Sequence, residues 1–216
     1  MDNAHPQKIF AIASCLLRSP SQIWPYLRYN PLWGRRPVDV GLPWISFGAL
    51  EFLDTFLHPE HEVFEYGGGG STLYFAQRAH HVLTMENHPV WHGILGTALA
   101  QKQLDNAQCE YHPISGDAPE QFRNDAFFRR IEEQLWDVIL IDCYCGYSTT
   151  RYGLLRPYAF ELAIAQVKPG GIIVLDDSWM YRELLAPRPG WRITDYVGVG
   201  PCRFGVTSTA VFEKLT

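Results

Sequence analysis

Two groups of residues in this chain have the types and spacing of a reactive site. The first is Gly67-Gly68-Gly69-Gly70-Ser71-Thr72, four consecutive glycines and two hydroxyls, with the acid Glu65 just before them. Glycine loses more backbone entropy on folding than any other residue, so a run of four implies a use. Where such a run joins a strand to a helix, its N–H groups can approach a ligand closely at the positive end of the helix. The second group is acidic. Asp142 closes the apolar stretch DVILID, and Asp176 and Asp177 close GIIVLDD. Acids at such positions can orient an acceptor, take its proton or hold a hard cation.

The residues around the glycines narrow the ligand. A dinucleotide fingerprint reads G-x-G-x-x-G. Gly67 and Gly69 fill its first two positions, but Thr72 stands at the third. Glu65 would repel a pyrophosphate and attract a cation, such as a sulfonium or the amino group of a methionine moiety. Glu86, followed by Asn87, lies about twenty residues beyond the turn, where an acid accepts hydrogen bonds from ribose hydroxyls. Further on, CEYHPI leads into Ser115-Gly116-Asp117-Ala118. Asp117 can accept from an adenine amino group, and a helix N-cap would look the same. The set favours S-adenosylmethionine over a dinucleotide. Its cofactor-binding candidates are Glu65, Gly67, Gly68, Gly69, Ser71, Thr72, Glu86, Asn87, Gly116, Asp117 and Asp142.

These side chains need strand ends and helix starts to hold them, and the chain supplies both. EVFEY (62–66), HVLTME (81–86), CEYHPI (109–114), DVILID (137–142) and GIIVLDD (171–177) read as strands. STLYFAQRA, PVWHGILGTALAQKQLD, APEQFRNDAFFRRIEEQ and RPYAFELAIAQV read as the helices between them. That alternation implies crossover connections and a doubly wound, mostly parallel α/β sheet with helices on both faces. WRITDYVGVG and FGVTSTAVFEK read as an antiparallel pair at one sheet edge, joined through Pro201. Upstream, ISFGALEFLDTFL has helical spacing. Residues 1–43 hold an amphipathic helix over 7–18 and then an irregular arm broken by Pro20, Pro25, Pro31, Pro37 and Pro43. The expected organisation is an arm over 1–43, a candidate cap for the substrate, and a cofactor-binding domain over 44–216.

Taken together, Glu65 to Thr72, Glu86, Gly116 to Ala118, Ile141-Asp142 and Lys168 to Asp177 resemble a class I S-adenosylmethionine-dependent methyltransferase. The resemblance covers residues 45–216. It implies a seven-stranded sheet with the C-terminal strand antiparallel between strands 5 and 6. It also implies methyl transfer to an oxygen or nitrogen of a small-molecule acceptor. The loop holds more glycine than the family pattern needs.

Asp142, Asp176 and Asp177 are also similar to the magnesium site of catechol-type O-methyltransferases, built from two Asp and one Asn. Here Asp177 replaces the Asn, and Cys143-Tyr144-Cys145-Gly146-Tyr147 lacks the lysine base of those enzymes. A metal-free site is therefore the preferred reading, with Mg²⁺ the alternative. Its catalytic candidates are Asp142, Asp177 and Tyr147, and an empty cluster of three acids should raise at least one carboxyl pKa unless an arginine, Arg151 or Arg182, relieves it. Cys143 and Cys145 lack the spacing of a zinc site, as do the histidines apart from the i, i+4 pair His88 and His92, where Pro89 puts His88 at a helix start. Trp24, Tyr26, Tyr29, Trp33, Arg28, Arg35 and Arg36 of the arm are candidates for substrate selection, membrane contact or plain packing.

The totals agree with one globular enzyme. The chain has 216 residues, 47% hydrophobic and 19% charged, and a net charge of -5, which disfavours a nucleic-acid partner. Five cysteines, an odd count, fit reduced thiols and a cytoplasmic location. No apolar run is long enough to span a membrane. Ile12-Ala13-Ser14-Cys15 has the look of a lipoprotein cleavage site, but the apolar stretch before it is short and Asp2 spoils the charged leader. A nucleotide-dependent oxidoreductase or epimerase is the alternative enzyme, opposed by Thr72 and Glu65. A non-enzymatic module on the same fold is the other alternative, opposed by the complete cofactor set. Oligomeric state is not legible.

Overall fold

Seven strands form one sheet in the order β3-β2-β1-β4-β5-β7-β6. The computed structural model describes residues 4–114, 119–144 and 155–216. The strands are β1 (Glu62–Tyr66), β2 (His81–Glu86), β3 (Ala107–Tyr111), β4 (Trp136–Ile141), β5 (Val167–Asp176), β6 (Trp191–Gly198) and β7 (Thr207–Lys214). β1 to β5 run parallel, and β7 returns antiparallel between β5 and β6. This is the expected doubly wound sheet.

Both faces are covered, so the strands read as nearly continuous apolar runs. One face carries Phe64, Tyr66, Met85, Ile139 and Ile173, packed with Phe127, Phe128 and Phe160. The other carries Val63, Val82, Val138, Leu140, Ile172 and Val174. Against it lie α1 (Ala4–Arg18), α4 (Phe47–Phe56) and α5 (Gly70–Ala76). Between α1 and α4 come α2 (Ile23–Arg28) and α3 (Pro37–Val40), each preceded by a 3-10 turn. The arm is thus less irregular than its prolines suggest. Pro20, Pro31 and Pro37 each open a short helical turn, where a missing N–H costs nothing.

Three elements differ from the sequence reading. β3 spans 107–111 instead of 109–114, because its register against β2 begins at Val82↔Ala107 and Pro113 cannot extend the ladder. The single helix expected over 118–134 is broken into α7 (Pro119–Phe122), α8 (Ala126–Arg129) and a 3-10 turn. Asp125 causes one break by capping α8, its carboxylate accepting from Phe127 N at 3.3 Å. β5 begins at Val167 rather than Gly171, with a register shift opposite Trp136–Val138. α6 (Pro89–Lys102) and α9 (Leu155–Gln166) complete the helices used below.

Candidate active site

The side-chain period of two puts Glu65, Thr84, Glu86 and Asp176 on the face shared with Val63, Val82 and Val174. All four sit at or near the carboxyl ends of parallel strands, where open α/β sheets bind ligands. A pocket of about 450 Å³ opens there. Its walls include Gly67 to Ser71, Glu86, Trp91, Asp142, Asp176 and Asp177.

The four glycines have separate physical reasons. Gly67 has φ +96°, and a Cβ on it would lie 2.5 Å from the Asp142 carbonyl. One on Gly68 would strike Leu95 and Thr84 at 2.6 and 2.9 Å. One on Gly70 would lie 2.1 Å from the Leu42 carbonyl and 2.4 Å from that of Pro37. The arm therefore crosses directly over the start of α5. Gly69 alone faces open space, with none of the described residues within 4 Å of a Cβ placed on it. Its N–H donates to Thr72 Oγ1 at 3.2 Å.

Glu86 holds the turn from β2. Its Oε2 accepts from Gly68 N at 2.8 Å and its Oε1 from His88 N at 2.7 Å. Burial raises its pKa against these backbone donors. Each oxygen keeps a second lone pair for a ligand. Glu65 lies beneath the turn, fully buried, and outside the pocket wall. It accepts from Thr84 Oγ1 at 2.6 Å, while its Oε1 has no partner among the described residues. Burial pushes its pKa up to about 7. Thr72 is buried beside it. Asn87 donates to the Tyr144 carbonyl at 2.7 Å, tying the loop after β2 to that after β4.

The acids form a second cluster, held by arginines. Arg156, buried at the start of α9, donates to Asp142 Oδ1 at 2.7 Å, the Asp176 carbonyl at 2.8 Å and the Cys143 carbonyl at 3.3 Å. Arg203 reaches Asp177 Oδ1 at 3.1 Å and stands over the Trp44 ring, 5.0 Å from its centroid. Thr207 Oγ1 and Trp179 Nε1 donate to the same Asp177 oxygen. Asp176 accepts from Thr209 Oγ1 at 2.9 Å. Burial pushes Asp176 up to about 8, with Asp142 and Asp177 adding to the rise. Burial also raises Asp142, although Arg156 opposes it. Burial acts in the same direction on Asp177, but Arg203 and then Arg156 outweigh it and hold this carboxyl below its ordinary value. The expected rise in at least one acid is present. The relieving arginines are Arg156 and Arg203 in place of Arg182, and Arg151 lies outside the described residues.

Asp142 and Asp177 already face guanidinium groups, which compete with a divalent ion for the carboxylate oxygens. No group of three His, Cys, Asp or Glu among the described residues has the arrangement of a metal site.

No protein-family model matches the chain, and no curated protein does. Solved structures do. An O-methyltransferase from Bacillus cereus in complex with S-adenosylhomocysteine superposes with a TM-score of 0.58 at 17% identity, over 95% of this chain and 98% of the other. An rRNA methylase from Streptococcus thermophilus gives 0.57 at 14% identity, over 84% and 98%. The O-methyltransferase TomG from Streptomyces achromogenes, with S-adenosylmethionine, gives 0.57 at 17% identity, over 82% and 85%. This chain has the class I methyltransferase fold. Within that fold the sequence-derived residues divide by position. Gly67, Gly68, Gly69, Ser71, Glu86, Asp142 and Asp177 line the pocket, and Glu65, Thr72 and Asn87 are not part of its wall. Gly116, Asp117 and Tyr147 lie outside the described residues.

Sequence reasoning missed Arg156, Arg203, Trp91, the arm residues Pro37 and Val38, and Trp44 just after the arm, all of which line the pocket. None of the seven arm residues suspected of substrate selection does, and Tyr26 is buried in the core. The one available signal was indirect: a buried cluster of acids needs positive partners. Sequence distance cannot select them.

Proposed function

We propose that this protein transfers a methyl group from S-adenosylmethionine to an oxygen or nitrogen of a small-molecule acceptor. The observation that carries the reading is Gly69, the one glycine of the turn that faces open space, beside a Glu86 carboxylate fixed by two backbone donors. The pocket has room for a ligand of this size, and Glu65, with one unpartnered oxygen beneath the turn, would be drawn to its ionised form by a bound cation. Bound S-adenosylmethionine would supply the electrophilic methyl group. Gly67, Gly68, Gly69 and Ser71 would let it approach, and Glu86 would accept from the ribose hydroxyls. Glu65, Thr72 and Asn87 would support the turn, and Gly116 and Asp117 would face the adenine.

On the acceptor side, Asp177 is held ionised, and its second oxygen, Oδ2, lies 3.9 Å from Arg156 Nη1. It is the group to orient the acceptor. Asp142, with its raised pKa, is the better base. Asp142 would take the proton that the acceptor loses on methylation. Tyr147 would complete the wall. The arm would cap the pocket through Pro37, Val38 and Trp44.

Calorimetry tests the cofactor half. The protein is expected to bind S-adenosylhomocysteine, and not NAD or FAD. Glu86→Ala should weaken that binding by about 1.5–3 kcal/mol, the scale of hydrogen bonds to a charged group. A folded variant with unchanged affinity would remove Glu86 from the site. The metal-free reading has its own test. With an acceptor in hand, turnover should survive EDTA, because guanidinium groups already neutralise Asp142 and Asp177. Loss of activity on chelation, restored by Mg²⁺, would instead make Asp142, Asp176 and Asp177 metal ligands.

A further inference from the structure

The first 33 residues expose large apolar side chains in a pattern that packing does not explain. On α1, Ile12, Cys15 and Leu16 pack into the core. At about 100° per residue, Ile9, Phe10, Ala13 and Leu17 fall within an arc of about 100° that adjoins the core-facing side of the helix. All four are exposed, Phe10 at 77% and Leu17 at 79%. α2 repeats the arrangement: Tyr26 is buried, while Trp24, at 72%, and Leu27 sit one turn apart and face outward. Trp33 joins them, its Nε1 donating to the Leu27 carbonyl at 3.0 Å. Single exposed hydrophobics are ordinary, but two successive helices with a second apolar side are not.

Charge selects the occupant. Residues 1–43 hold five basic residues against two acidic ones, a net +3 in a chain of net -5, so the remaining residues carry -8. Arg36 pairs with Asp39. Lys8, Arg18, Arg28 and Arg35 are exposed and make no ion pair with an acid among the described residues. Two copies meeting through this surface would bring like charge together. An anionic bilayer would meet the arginines with lipid headgroups and the tryptophans with its interface. No helix among the described residues is long and apolar enough to span, which leaves a surface mode of binding.

We propose that the N-terminal arm is an interfacial anchor that docks the protein on anionic membrane surfaces through Phe10, Leu17, Trp24, Leu27 and Trp33, with Arg18 and Arg28 engaging lipid headgroups. The core side of each helix keeps the arm fixed to the body. Tyr29 O, just after α2, accepts from Cys202 N at 2.8 Å, close to the Arg203 that reaches Asp177. The anchor therefore stands on the pocket side of the molecule. This inference does not depend on methyl transfer.

Flotation of the purified full chain with vesicles provides the test. Binding is expected to vesicles containing about 30% phosphatidylglycerol, to fall several-fold on pure phosphatidylcholine, and to fall again in about 0.5 M salt. A Phe10→Ser, Leu17→Ser, Trp24→Ser variant should lose at least about tenfold in partitioning, since each side chain gives up its apolar contact. Its circular dichroism and melting temperature should match those of the parent, because all three positions are exposed. If the triple variant melts early, Arg18→Glu with Arg28→Glu replaces it and should lose binding by repulsion alone. Absence of binding to the anionic vesicles, or undiminished binding by a folded variant, overturns the proposal. Sedimentation equilibrium showing a dimer that the triple variant dissolves, without vesicle binding, overturns it in favour of a second copy of the chain.

Discussion

Gly69→Val is expected to leave the protein folded and to abolish S-adenosylhomocysteine binding, whereas Gly70→Val should disrupt the fold itself. The two positions are adjacent, and their surroundings are opposite. A Cβ at Gly69 points into the open pocket and meets none of the described residues within 4 Å. Its φ of 175° is extended and accepts any residue, so the substitution fills ligand space without backbone strain. A Cβ at Gly70 instead falls 2.1 Å from one arm carbonyl and 2.4 Å from another, and backbone cannot yield as a side-chain tip does. The arm must lift from α5, at a cost of about 3 kcal/mol, the upper range for overpacking. For a chain of this length that lowers the melting temperature by on the order of 10 °C. Calorimetry and thermal unfolding on both variants separate the effects. Normal binding by Gly69→Val would place the ligand elsewhere, and an unchanged melting temperature for Gly70→Val would mean the arm does not cross α5 as described.

Arg156→Ala should produce the largest loss of stability, about 3–5 kcal/mol, the range for removing one partner of a buried ion pair. Three groups lose their donor at once: the Asp142 carboxylate and the carbonyls of Cys143 and Asp176. Lysine should not rescue it, because one ammonium cannot reproduce three contacts made by a planar fork. Adding Asp142→Asn should recover part of the loss by removing the stranded charge. Denaturant melts of the single and double variants supply the comparison. A loss below about 1 kcal/mol, or no coupling between the two substitutions, would show that Arg156 does not neutralise Asp142.

Particular residues show how far the sequence could be read. β1 and β2 match the expected strands residue for residue, because their patterning and their bounding glycine and polar residues are local. The antiparallel return of β7 follows from the resemblance and is present. β3 shifted and the 118–134 helix broke, since register against β2 and the Asp125 cap overrode a plausible local pattern. The glycine run was legible as a turn with a purpose, but not as four separate purposes. All four border the pocket, but only at Gly69 would a Cβ meet none of the described residues, while Gly67 and Gly70 make room for protein backbone.

By itself the sequence determined the strand-helix alternation, the glycine turn after β1 and the acids that close β2, β4 and β5. These depend on near neighbours, through side-chain period, turn chemistry and the dipole at a helix start. Tertiary structure alone decided what stands around them. It brought Arg156 from α9 and Arg203 from the β6–β7 connection onto acids 14 and 26 residues away in sequence. It also laid Pro37, Val38 and Trp44 against the glycine turn. Charge pairing and close packing act through space, and their range of a few ångströms is indifferent to the length of chain between the partners.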